Sequence, residues 1–339
     1  MNKKQKALAS IITCVLFWGF SFISTKIAVV VFPPMSLGLI RFAIALVFLY
    51  FIKLKIAPKE KLRLRDVPLL FTAGLTGVTL YFFFENNGIS LVSASEASIA
   101  ISSVPALAMI TDLISRKFSG FRKNRINNPS ARIKKVNTDK GQSNENSETV
   151  NQHPNVNVRQ WIGCFVSIAG VWLVAGVSFA ISGNILGYFY MTGAAFSWVA
   201  YSFLTRPLFA HCSRIYIVFW QSVAGFIFFI PFSVMEFKSW GTADTEVIIH
   251  ILFLGILCSA LGYWFYVRAL ETLGVSVCAI FINLIPVVTV IAGFFMLGDR
   301  LTLLQWLGAV LVLSGVYITI LEGKRKKSIS AEQTDIKVL

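Results

Sequence analysis

Charge is what this sequence has least of. Only 14% of its 339 residues are charged, against roughly 25% in an ordinary soluble domain. So few cannot cover a water-facing surface, which excludes a single soluble globular domain. Cysteine is scarce as well: Cys14, Cys164, Cys212, Cys258 and Cys278 are scattered, with no C-x-x-C and no paired spacing. They read as small buried hydrophobes, not as a disulfide framework or a zinc site. The three histidines, His153, His211 and His250, fall in unrelated segments without an H-E-x-x-H pattern. Neither a G-x-S-x-G elbow nor a Walker A loop occurs, so no metal site, no cofactor, no catalytic residue and no ATP drive within the chain are expected. The chain does not read as an enzyme.

What the chain has in excess is apolar length: 56% of its residues are hydrophobic. Runs long enough to span a bilayer fall near 7–30, 35–54, 67–85, 92–115, 159–177, 183–207, 214–235, 247–270, 275–297 and 303–321. In lipid an isolated segment must satisfy its own backbone, so each run is expected to be a helix. The expected fold is an all-α integral membrane protein of ten transmembrane helices, with both termini on one side. Met1–Lys6 carries three lysines before the first run, as a secretory signal does, but the run continues through Trp18 to Ser24 with no A-x-A-like cleavage site closing it. The run reads as a retained first span.

Basic residues outnumber acidic ones by 31 to 16. With the N-terminus in the cytoplasm, all the basic residues but Lys26, Arg41, Lys238 and Arg300 fall in inner loops and tails. That bias supports a multi-pass plasma-membrane protein with both termini cytoplasmic. Residues 116–158 differ in kind, being rich in Asn, Ser, Lys and Arg and almost without aromatics past Phe121. They read as a disordered basic cytoplasmic insert resting on anionic lipid headgroups. No folded RNA- or DNA-binding module accompanies the charge, so no nucleic-acid partner is expected.

The chain also repeats itself. WGFSFISTK at 18–26 matches WVAYSFLTR at 198–206, and Gly74 to Pro105 matches Gly255 to Pro286 without a gap. RQWIG at 159–163 then matches LQWLG at 304–308 at a shorter offset, which places an insertion in the first half, within the polar stretch. Residues 1–115 hold helices one to four, 159–177 complete the first unit, 183–321 form the second, and 322–339 form a tail. Each unit has five helices. An odd number makes the second unit enter from the opposite side, giving two inverted five-helix repeats, the architecture of secondary transporters.

With these residues in view, the two halves resemble the EamA-like branch of the drug/metabolite transporter (DMT) superfamily. The likeness rests on LFWGFSFISTKIAVVVFPPMSLGLIRF in the first half and SALGYWFYVRALETLGVSVCAIFINLIPVVTVIAGFFMLGDRLTLLQWLGAVLVLSGVYI in the second, and leaves out the insert and both tails. It implies a central cavity walled by helices 1, 3, 4, 6, 8 and 9, and export of amino acids, metabolites or toxic analogues. One departure stands out: Gly298-Asp299-Arg300 precedes helix ten, whereas the first half has Phe118 and the insert in that place.

Several residues are candidates for substrate contact. Trp18, Ser21 and Thr25 share one face of helix one, and Trp198, Tyr201 and Thr205 are their counterparts on helix six. Ser95, Ser98 and Ser102 on helix four match Ser276, Ala279 and Asn283 on helix nine. Such stripes either hold helices together or line a wet cavity. Pro105 and Pro286, at matched mid-helix positions, each remove a backbone donor and are candidate hinges. Intramembrane carboxylates are candidates by default, here Glu85 and Glu96. Glu96 suits an ammonium group or a proton, or else pairs at the outer rim with Lys26 or Arg41. Tyr81, Tyr263, Trp264 and Tyr266 form an aromatic wall or belong to the interfacial belt, with Trp264 the best placed for a wall. Gly163 and Gly170 recur as Gly308 and Gly315 and read as close packing. The functional expectation is alternating-access transport of a small molecule, coupled to protons or by exchange. The competing expectation is a transport-inactive receptor or scaffold that acts through the basic insert.

Overall fold

The computed structural model describes residues 2–126, 158–175, 184–297, 303–304 and 306–318. Among the described residues every regular element is helical and none is a strand. Residues 127–157 of the insert, the Gly298-Asp299-Arg300 turn and the tail from 319 onward lie outside them.

The helices are α1 (Lys3–Ala28), α2 (Pro34–Ile56), α3 (Leu64–Leu91), α4 (Ala94–Ser115), α5 (Val158–Ala175), α6 (Ile185–Thr205), α7 (Arg214–Ser239), α8 (Thr245–Leu273), α9 (Val275–Met296) and α10 (Trp306–Ile318). Seven of them, α1 to α4 and α7 to α9, are long and apolar enough to cross a membrane. Side-chain caps fix several starts: Asn2 with Gln5 and Ser93 with Glu96 form capping boxes, while Ser213 and Asp244 accept from the third helical amide. The helix begun in α4 runs past Ser115 to Ile126, into the basic segment. Large side chains such as Leu16, Phe48, Phe51, Phe189, Phe196 and Met235 face outward, as lipid-facing residues do.

Polar contacts divide the helix ends into two groups. At one end, Lys3 and Arg214 both meet Glu271, Arg206 pairs with Asp112, and the α2–α3 loop reaches Ser213 through Glu60. At the other end, Lys26 donates to the carbonyls of Ile89, Ser90 and Val92 at the close of α3. There too Glu236 accepts from the amides of Met35 and Ser36, and Glu96 from the Tyr188 hydroxyl. α1 therefore starts at the first end and α6, its counterpart, at the second.

Sequence-matched positions meet in space. α2 lies along α7; α1 packs on α8 and α9, as α6 packs on α3 and α4. A Cβ on Gly170 would stand 2.7 Å from the Gly308 carbonyl, and one on Gly315 2.5 Å from that of Gly163. The small pairs thus let the α5 and α10 backbones touch, running antiparallel. α3 and α8 each contain a π-helical turn at matched positions, Leu75–Leu80 and Leu254–Gly262. α4 and α9 break at matched positions too, in the 3₁₀ turn Ile101–Ser103 and at Asn283. Pro105 and Pro286 follow within a turn. Each lacks the amide that would bond four residues back, and its ring crowds that carbonyl.

Candidate functional site

The aromatic residues come together where the halves meet. Trp18 and Trp198, equivalent in the repeat, pack edge to face with ring centroids 5.0 Å apart. Tyr263 lies 6.0 Å from Trp18 and 5.6 Å from Trp198, and Tyr81 lies 5.0 Å from Trp198. Two polar ends of this cluster are held by the π turns. The Trp18 indole donates to the Cys258 carbonyl at 3.1 Å, and the Tyr263 hydroxyl to the Gly77 carbonyl at 2.5 Å. In both places the displaced helical ladder turns a carbonyl toward a side chain.

These rings wall a small, partly open cavity of about 20 Å³, the room of one water molecule. Its other wall is ionic. Arg41 on α2 is 2% exposed, donates through Nε to the Ser259 hydroxyl at 2.9 Å, and lays its guanidinium 4.1 Å above the Phe82 ring. One terminal nitrogen, Nη1, is buried without a hydrogen-bond partner. Glu85 on α3 is 4% exposed, accepts from the Tyr81 hydroxyl at 2.7 Å and feels the Arg41 charge. A cation, a carboxylate and an aromatic wall therefore face one water-sized space. Buried charge with hydrogen-bonding capacity left over is costly unless something uses it.

Six of the residues singled out from the sequence line this cavity: Trp18, Ser21, Tyr81, Glu85, Trp198 and Tyr263. Tyr201 stands behind them, fully buried, with its ring 5.0 Å from Trp198. Thr25 is buried in α1 and does not line the cavity. Ser102 lies in the break of α4. Asn283, at the break of α9, donates to the Ser167 hydroxyl at 2.6 Å. Trp264 is half-buried and stacks on Phe265, away from the cavity lining. Glu96 is engaged with the Ser93 amide and the Tyr188 hydroxyl.

Sequence reasoning missed Arg41, Phe22, Phe82 and Ile285. The sequence pattern sets Arg41 among the outer residues, as a partner for Glu96; in the structure it reaches Ser259 and the cavity instead. The signal was available, since an arginine inside the apolar run 35–54 is itself an intramembrane ionisable group.

Comparison with known proteins shows the family. The model of the EamA-like transporter family matches residues 5–118 and 185–321, and the chain belongs to that family. It is a multi-pass membrane transporter and not an enzyme. An uncharacterized transporter of Archaeoglobus fulgidus is 29% identical, covering 94% of this chain and 99% of its own. A probable amino-acid metabolite efflux pump of Escherichia coli K12 is 24% identical over 97% of this chain and 99% of its own. A probable terminal-alkyne amino-acid exporter of Streptantibioticus cattleyicolor is 23% identical over 93% and 94%. One solved crystal structure superposes with a TM-score of 0.68 at 15% identity, over 95% of this chain and 99% of that one, which shows a shared fold.

Proposed function

We propose that the chain exports small amino-acid-like metabolites across the plasma membrane by alternating access. The ten helices act as two inverted five-helix repeats, with both termini cytoplasmic. The opposite starting ends of α1 and α6 and the antiparallel contact of α5 with α10 support the inversion.

The observation that carries the substrate class is the pair Arg41 and Glu85 on one cavity. A guanidinium with a free buried donor suits a carboxylate, and a carboxylate beside a tyrosine hydroxyl suits an ammonium. The two charges of a zwitterion thus have one receptor each, and the Trp18–Trp198 wall takes the side chain. The related E. coli and Streptantibioticus proteins, described as carrying amino-acid compounds, support the same class. At about 20 Å³ the site is too small for an amino acid, so loading requires the aromatic wall to part.

The test is counterflow of labelled amino acids into liposomes containing the purified full-length chain, wild type against Arg41→Gln and Glu85→Gln at matched incorporation. Each lost charge-assisted hydrogen bond is worth about 1.5–3 kcal/mol. Apparent affinity for zwitterions should therefore fall on the order of 10- to 100-fold in each variant. Apparent affinity for zwitterions unchanged from wild type in both variants would remove the pair from recognition.

A further inference from the structure

Outside the cavity, at the end where the N-terminus lies, three side chains of different ligand type converge. Asp66 opens α3, and His211 and Cys212 sit in the turn between α6 and α7. Their ligand atoms all lie within 4.8 Å of one another. His211 Nε2 is 2.8 Å from one Asp66 oxygen, and the Cys212 thiol reaches the other at 3.4 Å. Asp66 itself is buried, so its carboxylate is fixed in place and aimed at the turn.

We infer that Asp66, His211 and Cys212 form a three-ligand site for a thiophilic divalent cation of the Zn²⁺ type, which ties the start of α3 to the α6–α7 turn. The donor set is one carboxylate oxygen, one imidazole nitrogen and one thiolate. It is the mixture such ions take at about 2.0–2.3 Å, with a fourth position left for water. Ligand atoms already within 4.8 Å need only a small inward movement to share one ion. The support around the triad is ordered: the Tyr216 hydroxyl donates to the Asp66 oxygen nearer the thiol at 3.4 Å, and the Arg63 amide in turn donates to Tyr216. Glu60, fixed on Ser213, adds a second carboxylate beside the turn. The opposing charges are Arg63, bonded to the His211 carbonyl, and Arg65, 3.5 Å from Asp66. The Arg65 side chain is 66% exposed, so its pairing with Asp66 is weak and swings into water at little cost. Sequence spacing gave no sign of the triad, because Asp66 and His211 are 145 residues apart.

The site joins the first half to the second, so an ion there couples elements that must slide past each other if the halves alternate; this consequence, unlike the binding itself, rests on the proposed transport cycle. The binding test uses the tag-free full-length protein in detergent, titrated with Co²⁺ and then Zn²⁺. The expected result is one equivalent of Co²⁺ with a thiolate-to-cobalt absorption band, displaced by Zn²⁺ and accompanied by a rise in Tm. Cys212→Ser abolishes the band, and His211→Ala weakens binding by about tenfold or more. Cys14→Ser, at a buried cysteine remote from the triad, leaves the band unchanged and controls for thiol loss as such. No saturable binding up to about 100 μM metal, or binding indifferent to Cys212→Ser and His211→Ala, overturns the site. Slower counterflow with Zn²⁺, lost in Cys212→Ser, extends the result to transport. Unchanged counterflow with intact binding refutes the coupling of the halves alone.

Discussion

Gly77→Ala is the sharpest test of how the two halves lock around the cavity. A methyl built on Gly77 lies 2.1 Å from Tyr201 Cδ2, 2.3 Å from Cγ and 2.8 Å from Cβ. Non-bonded carbons rest at about 3.5–4.0 Å, so the tyrosine must retreat by more than about 1 Å. Its surroundings oppose that: Tyr201 is fully buried, with the Trp198 ring 5.0 Å away and Tyr263 at 5.9 Å. Tyr263 is in turn bonded to the carbonyl of Gly77 itself. Overpacking of this kind costs about 1–3 kcal/mol, which for a chain of this size lowers Tm on the order of 5 °C. The assay is thermal unfolding of the purified protein in one detergent at one scan rate, because membrane proteins of this size often unfold irreversibly. Tyr201→Ala removes the atoms at 2.1 and 2.3 Å and keeps the contact at 2.8 Å. The double variant should therefore lose less Tm than the sum of the two single variants, by about 2 °C or more. A Tm within about 1 °C of wild type for Gly77→Ala, or strict additivity in the cycle, would refute the close approach of α3 to α6.

Lys26→Met removes three hydrogen bonds to the last carbonyls of α3. It should cost about 1–3 kcal/mol, read as a lower Tm and faster amide exchange at Ile89 to Val92; an unchanged exchange rate there counts against the cap. Trp18→Ala, which opens the cavity wall, should cut transport by about tenfold or more, whereas Trp264→Ala, outside the lining, stays within about twofold; equal effects would contradict that placement. The Cys212 thiol is pushed up to about 12 by burial and by the Asp66 carboxylate. Only the thiolate is alkylated, so in metal-free protein the Cys212 rate with iodoacetamide should climb about tenfold per pH unit from pH 7 to 10. Peptide mass spectrometry follows it, and a plateau near pH 9 would contradict the shift.

Much of the architecture was legible in the chain because lipid imposes a simple rule. An apolar run must satisfy its own backbone, and such runs can be read along the sequence without knowing what they touch. The matched prolines announced the helix breaks, since the missing amide is a property of the residue itself. The four glycines of α5 and α10 announced a close contact, and that contact is present. The π turns were not legible, because nothing in LTGVTL or LGILCSALG marks a displaced ladder.

The site divided along the same line. Trp18, Trp198, Tyr81 and Glu85 were found because aromatic and acidic residues inside an apolar run are conspicuous wherever they point. Glu96 was equally conspicuous, yet the structure engages it with the Ser93 amide and the Tyr188 hydroxyl; the Ser93-x-x-Glu96 spacing is itself a capping-box signal, whereas Tyr188, 92 residues away, was not legible. Arg41 was visible as a charge but its partner was not: Ser259 lies 218 residues away, and only folding of α2 against α8 joins them.

The sequence by itself determined that this is a helical membrane protein, because hydrophobicity and proline act over a few turns of chain. The tertiary structure alone decided which charges face one cavity and which three ligands meet at the α6–α7 turn. Both arrangements depend on distances between segments far apart in the chain, and those are fixed only when the helices pack.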